Sequence, residues 1–478
     1  MEHAFDEMLS SLYSLAALLL VILIIVLAVR LILSFYLKLR VSKLAIARED
    51  HVDGIVFGKY TPHIRLFSPT NAQEHVAVIS TSGAGKTKAI GIPTLSTWGG
   101  TFWALDISGD ITHAVYRPRV RYAPLDQYNH ISYDPFALID RMTSSAERHN
   151  ALCNIAQSLM PRVTAQEAVQ GGQWYFHTGL SIMKAALIAF YNEGYDFLEI
   201  VDKIVRSDYT TLFNEIDKTG NDEAIKYLNQ LANLKQHEIA SCKQTVDSAV
   251  LLFSDPILKG KIGRSATSFG PDTIEKHSII VQLPDEYREQ FAPLIELIVN
   301  QLFDYLSGRP FGREKILIFL DEFGSFKNIN IAPALEKFRK RNIRIMLLFQ
   351  SLAQLDTNYG HAMRRAIMDN ISIKAILALE DQESKEYFSQ MAGSKIHMRS
   401  TSNSSGGHSS TEVKDRAIEP ETFSKLHYRL IIFAHGRIFK PFKAFSQPQP
   451  QQTDESGPWY DDEGNTLYFK RVNDIDDD

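Results

Sequence analysis

The stretch STSGAGKTKA, Ser80 to Ala89, follows the apolar run EHVAVI and precedes helix-forming residues. A glycine-rich turn between a strand and a helix constrains a chain more than any other feature here. Glycine reaches the backbone angles the turn needs and brings no Cβ, so several amides can converge on one phosphate. The spacing fits G-x-x-x-x-G-K-[ST] except at Ser80, where the first glycine is expected. Thr81, Ser82, Gly83, Ala84 and Gly85 would then cradle a nucleotide, Lys86 would reach its outer phosphates and Thr87 its magnesium. The alternative is a structural glycine turn, and the second half of a phosphate-handling site decides between them.

That half is supplied by KILIFLDEFGSF, an apolar strand ending in Asp321 and Glu322. An aspartate there holds magnesium directly or through water, and an adjacent glutamate polarises the attacking water of ATP hydrolysis. Both roles need ionised carboxylates at the carboxyl edge of an α/β sheet, where ligands bind. Just past the next strand comes QSLAQLDTNYG, Gln350 to Gly360, and Gln350 is placed to hydrogen-bond the terminal phosphate. ATP and Mg2+ are the cofactors this pairing expects.

From Leu12 to Val29 the chain carries no charge, and LILSFYL extends the apolar run beyond Arg30 to Leu37. A span over about 12–37 is long enough to cross a bilayer. The acidic start, Glu2, Asp6 and Glu7, does not suit a cleaved leader. Arg30, Lys38, Arg40 and Lys43 follow, so the positive-inside rule puts the N-terminus outside and the body in the cytoplasm, with one span.

The body reads as α/β. The runs at 76–80, 101–107, 278–283, 315–321, 343–349 and 371–379 are apolar on both faces, as in a buried parallel sheet, and helices such as REQFAPLIELIVNQLFDYL separate them. The expected organisation is an anchor (1–44), the first part of a nucleotide-binding domain (45–144), an inserted all-α domain (145–270), the second part of the nucleotide-binding domain (271–445) and a polar acidic tail (446–478). In the insertion, Phe197, Ile200, Val201 and Ile204 fall at helical spacing, and His177, Ser181 and Lys184 form a polar stripe on an apolar helix. Trp174 to Phe176 are expected in the core. RSTSNSSGGHSSTE, 399–412, reads as a flexible loop and SQPQPQQTDESG as a linker.

Composition excludes several classes. A chain of 478 residues with 45% hydrophobic content can bury sizeable cores. Cys153 and Cys242 form neither a disulfide framework nor a zinc pattern, and HEIAS at 237–241 lacks the second histidine of a zinc-protease helix. A net charge of −5 does not describe a generally basic nucleic-acid binder. Two local basic patches, YRPRVRYAP (Arg117, Arg119, Arg121) and EKFRKRNIR (Lys337, Arg339, Lys340, Arg341, Arg344), read as solvated faces when taken singly.

STSGAGKT, FLDEFGSF and QSLAQLDTNYG, in this order and with a helical insertion between the first two, resemble the type IV secretion coupling proteins over roughly residues 50–445. These are membrane-anchored RecA-like ATPases that link conjugative DNA substrates to a secretion channel. The resemblance implies a RecA-like P-loop domain with an inserted all-α domain, a homo-hexamer in the bacterial inner membrane, and as partners single-stranded DNA with its relaxase or protein effectors, together with the channel components. It also implies a trans-acting arginine finger at Arg339 in FRKRNI, with Arg341 and Arg344 as alternatives. Two departures stand out: one apparent span where many relatives have two, and DISGD, Asp106 to Asp110, where relatives often carry a lysine, so Asp106 is given no catalytic role. The competing classes are a septal-type double-stranded DNA translocase and a non-hydrolytic, nucleotide-switched membrane receptor. Glu322 argues against the second, because binding alone needs no such carboxylate.

Overall fold

The computed structural model describes residues 2–161, 172–402, 408–445, 459–460 and 466–467, with side chains over 17–161, 172–396 and 412–445. The acidic tail expected over 446–478 therefore lies almost wholly outside the described residues.

Period-two alternation organises the centre of the molecule. The strands β1 (Ala45–Arg48), β2 (Gly54–Lys59) and β3 (Ile64–Pro69) form a small antiparallel sheet in the order β1-β3-β2. The main sheet is built from β4 (Val76–Ser80), β5 (Thr101–Asp106), β6 (Arg119–Tyr122), then, past a short pair β7 (Ser132–Tyr133) and β8 (Ser268–Phe269), from β9 (Ser278–Gln282), β10 (Ile316–Leu320), β11 (Ile343–Phe349) and β12 (Ile373–Ala378). A hairpin follows, β13 (Ser394–Ser402) with β14 (His408–Arg416), and then β15 (Ile431–Ala434) and β16 (Arg437–Phe439) close the main sheet. Its order is β16-β15-β12-β4-β11-β10-β5-β9-β6, parallel from β12 to β6 and antiparallel at β15 and β16.

Alternate residues of each central strand enter two different apolar cores. Ala77, Ile79, Ile318, Leu320, Leu347 and Phe349 face one, and Val76, Val78, Leu317, Phe319, Met346 and Leu348 face the other. A sheet buried on both faces needs apolar residues at every position, which is why these strands read as continuous runs. The first core extends without interruption into the helical insertion, including Ile182, Phe190, Phe197, Ile200 and Val201. The helical segment is thus packed onto the sheet rather than set apart from it. Its helices, Ser145–Leu159, Gly172–Asn192, Phe197–Arg206, Tyr209–Lys218, Asp222–Asn229 and Gln236–Val250, begin at Ser144, Asp196, Asp208 and Asn221 caps where the local sequence offers them.

The apolar N-terminal run is one helix, Glu2–Ser42, whose portion Ala17–Ser42 contains an 18-residue window of mean hydropathy 3.1 that is unburied. Its end docks on the body. Leu39 and Leu44 are buried in the second core, Phe35 meets Tyr60 edge-on, and Lys43 pairs with Glu74 at 2.7 Å.

Several expectations are corrected here. Trp174 and Tyr175 are 38% and 41% exposed rather than core. The segment 399–412 is not a loop throughout, since β13 and β14 flank residues 403–407, which lie outside the described residues. The basic patches are solvated only in part: Lys337 and Lys340 are exposed, whereas Arg119 and Arg344 are buried. Arg119 belongs to β6 and donates to the carbonyls of Val115, Arg117 and Thr112, while Arg344 is 1% exposed inside the body.

Candidate nucleotide site

The turn after β4 has the backbone that the expected phosphate loop requires. Gly83 and Gly85 adopt φ of 76° and 87°, which favour glycine, and the following Thr87–Gly91 forms a wide helical turn that continues as the helix Ile92–Thr97. Ser82, Gly83, Gly85, Lys86 and Thr87 line a cleft of about 310 Å³ together with Asp321, Glu322 and Gln350. Thr81 and Ala84 are engaged by the protein instead. Thr81 N donates to Ala378 O (3.1 Å), and Ala84 N to Thr81 O (3.4 Å).

Asp321 and Glu322 follow β10, and Gln350 follows β11, which separates β10 from β4 in the sheet. Because all three strands run parallel, their ends converge on one edge. Thr87 Oγ1 donates to Asp321 Oδ2 at 3.2 Å, Lys86 Nζ lies 3.3 Å from Glu322 Oε1, and Gln350 Nε2 donates to Glu322 Oε2 at 3.1 Å. Lys86 is also held by Ser80 O at 3.0 Å and is 6% exposed. Glu322 sits in the left-handed region, φ 47°, with its amide donating to Asp321 Oδ1 at 3.0 Å. Such a conformation is costly for a side-chain-bearing residue and persists where the surroundings impose it. Burial raises the Asp321 pKa to about 7, with the Glu322 charge adding to the effect and Lys86 opposing it.

The loop after β10 is fixed by the helix Leu352–Tyr359. Gln354 Oε1 accepts from Gln350 N (3.1 Å) and its Nε2 donates to Ser325 Oγ (3.2 Å), Asn358 Nδ2 donates to Gly324 O, and Tyr359 stacks on Phe323. Gly324 has no room for a side chain, because a Cβ there would overlap the Gln354 amide. This mutual packing explains why FGSF and QSLAQLDTNYG occur together: one motif braces the other.

Asp106, at the end of β5, is fully buried and accepts from Thr112 N (2.8 Å), Thr112 Oγ1 (2.6 Å) and Ile111 N, which ties it to the first turn of the short helix Asp110–Ala114. Two lining residues escape the motif reading, Asp285 and Arg288, which pair at 2.7 Å. Their signal is positional: they follow β9, and loops at this edge of the sheet face the cleft.

The structure does not bring Arg339 into its own chain's cleft. It precedes β11, at the opposite edge of the sheet, and donates to the Asn370 carbonyl. Arg341 lies over the Phe311 ring at 4.9 Å. Arg344 is saturated by Glu74 O, Pro69 O and Ser68 Oγ, which removes it as a donor across a subunit boundary.

A nine-stranded sheet with a phosphate loop, a strand-end acid pair and a helical insertion defines a P-loop NTPase. Residues 39–425 match the family described as type IV secretory system conjugative DNA transfer, and the chain belongs to it. It is 25% identical over 375 residues to Protein VirD4 of Rhizobium radiobacter, covering 74% of this chain and 54% of that protein. It is 22% identical over 372 residues to the conjugal transfer protein TraG of Escherichia coli, covering 70% and 57%. The chain thus spans about half the length of the curated relatives it matches. In fold it is similar to the bacterial conjugative coupling protein TrwBdeltaN70 in its unbound form, with TM-score 0.65, 17% identity and coverage of 84% of this chain and 95% of that one. It is similar also to TrwB in complex with the ATP analogue ADPNP, with TM-score 0.63, 17% identity and coverage of 85% and 96%.

Proposed function

We propose that this chain is a membrane-anchored coupling ATPase of a type IV secretion or conjugation system, which recruits single-stranded DNA with its relaxase, or protein effectors, and drives their transfer by ATP hydrolysis. The observation that carries this reading is the convergence of Lys86, Thr87, Asp321, Glu322 and Gln350 on one cleft. A hydroxyl beside a carboxylate is a donor pair suited to Mg2+, and TrwB has been captured with ADPNP and with ADP and Mg2+. Bound Mg2+ neutralises developing charge on the phosphates.

In this reading Lys86 exchanges Glu322 for the terminal phosphates. Glu322, released from Lys86, polarises the attacking water, while Gln350 keeps its carboxylate oriented. The helix Glu2–Ser42 crosses the bacterial inner membrane with the N-terminus outside, subunits assemble as a homo-hexamer against the channel components, and the helical insertion selects cargo. Glu322→Gln is expected to retain ATP binding and lower turnover by on the order of 100-fold or more. Turnover equal to wild type would remove the mechanism. Strong stimulation of the wild type by duplex DNA alone, rather than by single strands, would favour the septal class.

Arg339 is proposed as the arginine one subunit lends to its neighbour's cleft, leaving the Asn370 carbonyl to do so. Mixing Arg339→Ala with Glu322→Gln subunits is expected to restore part of the activity neither variant has. Mixed rings without recovery would end this assignment.

A further inference from the structure

The chain beyond β16 turns back over the phosphate loop. Its backbone is pinned on two sides: Lys59 N donates to Phe442 O (2.8 Å), Phe442 N to Lys59 O (2.9 Å), and Lys443 N to Tyr428 O (2.8 Å). These bonds aim two side chains at the loop. Lys443, 5% exposed, donates from Nζ to Ala84 O at 3.1 Å. Phe445 lies against Gly85 so closely that a Cβ at position 85 would stand 3.1 Å from its Cε1, yet the ring remains 49% exposed. An apolar ring is fixed beside the phosphate loop with much of its surface open.

Sheet order gives this place a meaning. β4, which carries the loop, has β11 and β10 on one side, and their ends hold Gln350, Asp321 and Glu322. On its other side lie β12, β15 and β16, the last of which leads into Phe445. A nucleotide whose terminal phosphate faces Glu322 must run its nucleoside away from that acid. The side of β4 without the catalytic carboxylate is the side on which the ring waits. Aromatic rings accept the flat faces of bases with little regard to their edges.

We infer that Phe445, which stands beside the cleft against Gly85 and outside its lining, is the nucleobase platform, stacking the base of a nucleoside triphosphate while the residues 441–443 hold ring and loop in register. This rests on the nucleotide reading given above, and the test separates the two. Binding of ATP and of inorganic tripolyphosphate is measured by calorimetry on the full chain in detergent micelles. Phe445→Ala is expected to weaken ATP roughly 10-fold and leave tripolyphosphate unchanged. Phe445→Trp is expected to restore ATP affinity and to add an indole emission that ATP quenches and tripolyphosphate does not. Wild-type ATP affinity in Phe445→Ala, or equal loss of both ligands, would overturn the inference while leaving the nucleotide site in place. A wild-type chain that binds neither ligand would overturn the site reading and this inference with it.

Discussion

The two edges of the main sheet both bury charge, yet they use it in opposite ways. At the carboxyl edge, Lys86, Asp321, Glu322 and Gln350 partner side chains across an open cleft. At the amino edge, cations and an imidazole partner backbone. Arg344 takes the Glu74 and Pro69 carbonyls, Lys374 that of Ile371 and Arg339 that of Asn370, and His75 bonds Leu335 O and Ile345 N. The polarity of a strand–helix–strand unit explains the division. Helices end at the amino edge, where their last carbonyls and negative dipole ends attract cations, and begin at the carboxyl edge, where free amides attract phosphate. Asn370 is the last residue of the helix His361–Asn370, and its carbonyl is what Arg339 takes. The amino edge therefore spends Arg344, Lys374 and His75 on its own chain, with Arg339 as the cation proposed to leave it for a neighbour, and the carboxyl edge keeps its charges available to a ligand.

The sharpest way to break this comparison is a matched pair of substitutions. Lys86→Ala is expected to lower nucleotide turnover by on the order of 100-fold or more, with the thermal midpoint nearly unchanged. Arg344→Met is expected to do the reverse, lowering unfolding stability by about 3 kcal/mol as buried carbonyls lose their donor, while turnover per folded molecule persists. Thermal unfolding alongside ATPase assay reads both. Loss of turnover at full stability in Arg344→Met would show that Arg344 itself takes part in the chemistry.

His75 offers a smaller and more selective measurement. Its Nδ1 accepts from Ile345 N at 3.0 Å, so Nε2 carries the proton and donates to Leu335 O at 2.9 Å. Burial, with Arg339 and Arg344 nearby, pulls its pKa down to about 3, so the folded ring stays neutral. An unfolded histidine titrates near 6.5. Above about pH 6.5 neither state binds the proton; below it only the unfolded chain does, so stability falls as the pH drops toward 3, by at most ~1.4 kcal/mol per unit. His75→Asn is expected to flatten the stability–pH curve between about pH 6 and pH 4.5 relative to wild type. An unchanged slope would show that the ring is not held neutral.

What could be read from the chain alone were the features written in contiguous residues. β4 and β11 fall where VAVIS and IRIMLLF predict them, because a strand buried on both faces must be apolar at every position. The glycine turn after β4 and the Asp321–Glu322 strand end were legible for a related reason: glycine angles and a strand-end acid are local requirements. The strands β1 to β3 were missed because glycine, proline and charge interrupt their apolar residues, as in GIVFGK and IRLFSP, and β6 because Arg119 in RVRY looks solvated until the carbonyls that satisfy it are seen. The exposure of Trp174 and Tyr175 has the same origin, since an aromatic pair at a helix start carries no mark of which neighbours will cover it.

Thus residue order by itself determined the apolar helix, the phosphate loop, the acid pair, the central strands and the helical insertion, each a property of a few consecutive side chains. Only the tertiary structure decided that Arg288 and Asp285 share the cleft, that Arg339 stands at the far edge, and that Lys443 and Phe445 reach a loop more than 350 positions earlier in the chain. Those placements follow from strand order, because a parallel sheet gathers the ends of strands distant in sequence onto one edge, and no local pattern records which strand will be whose neighbour.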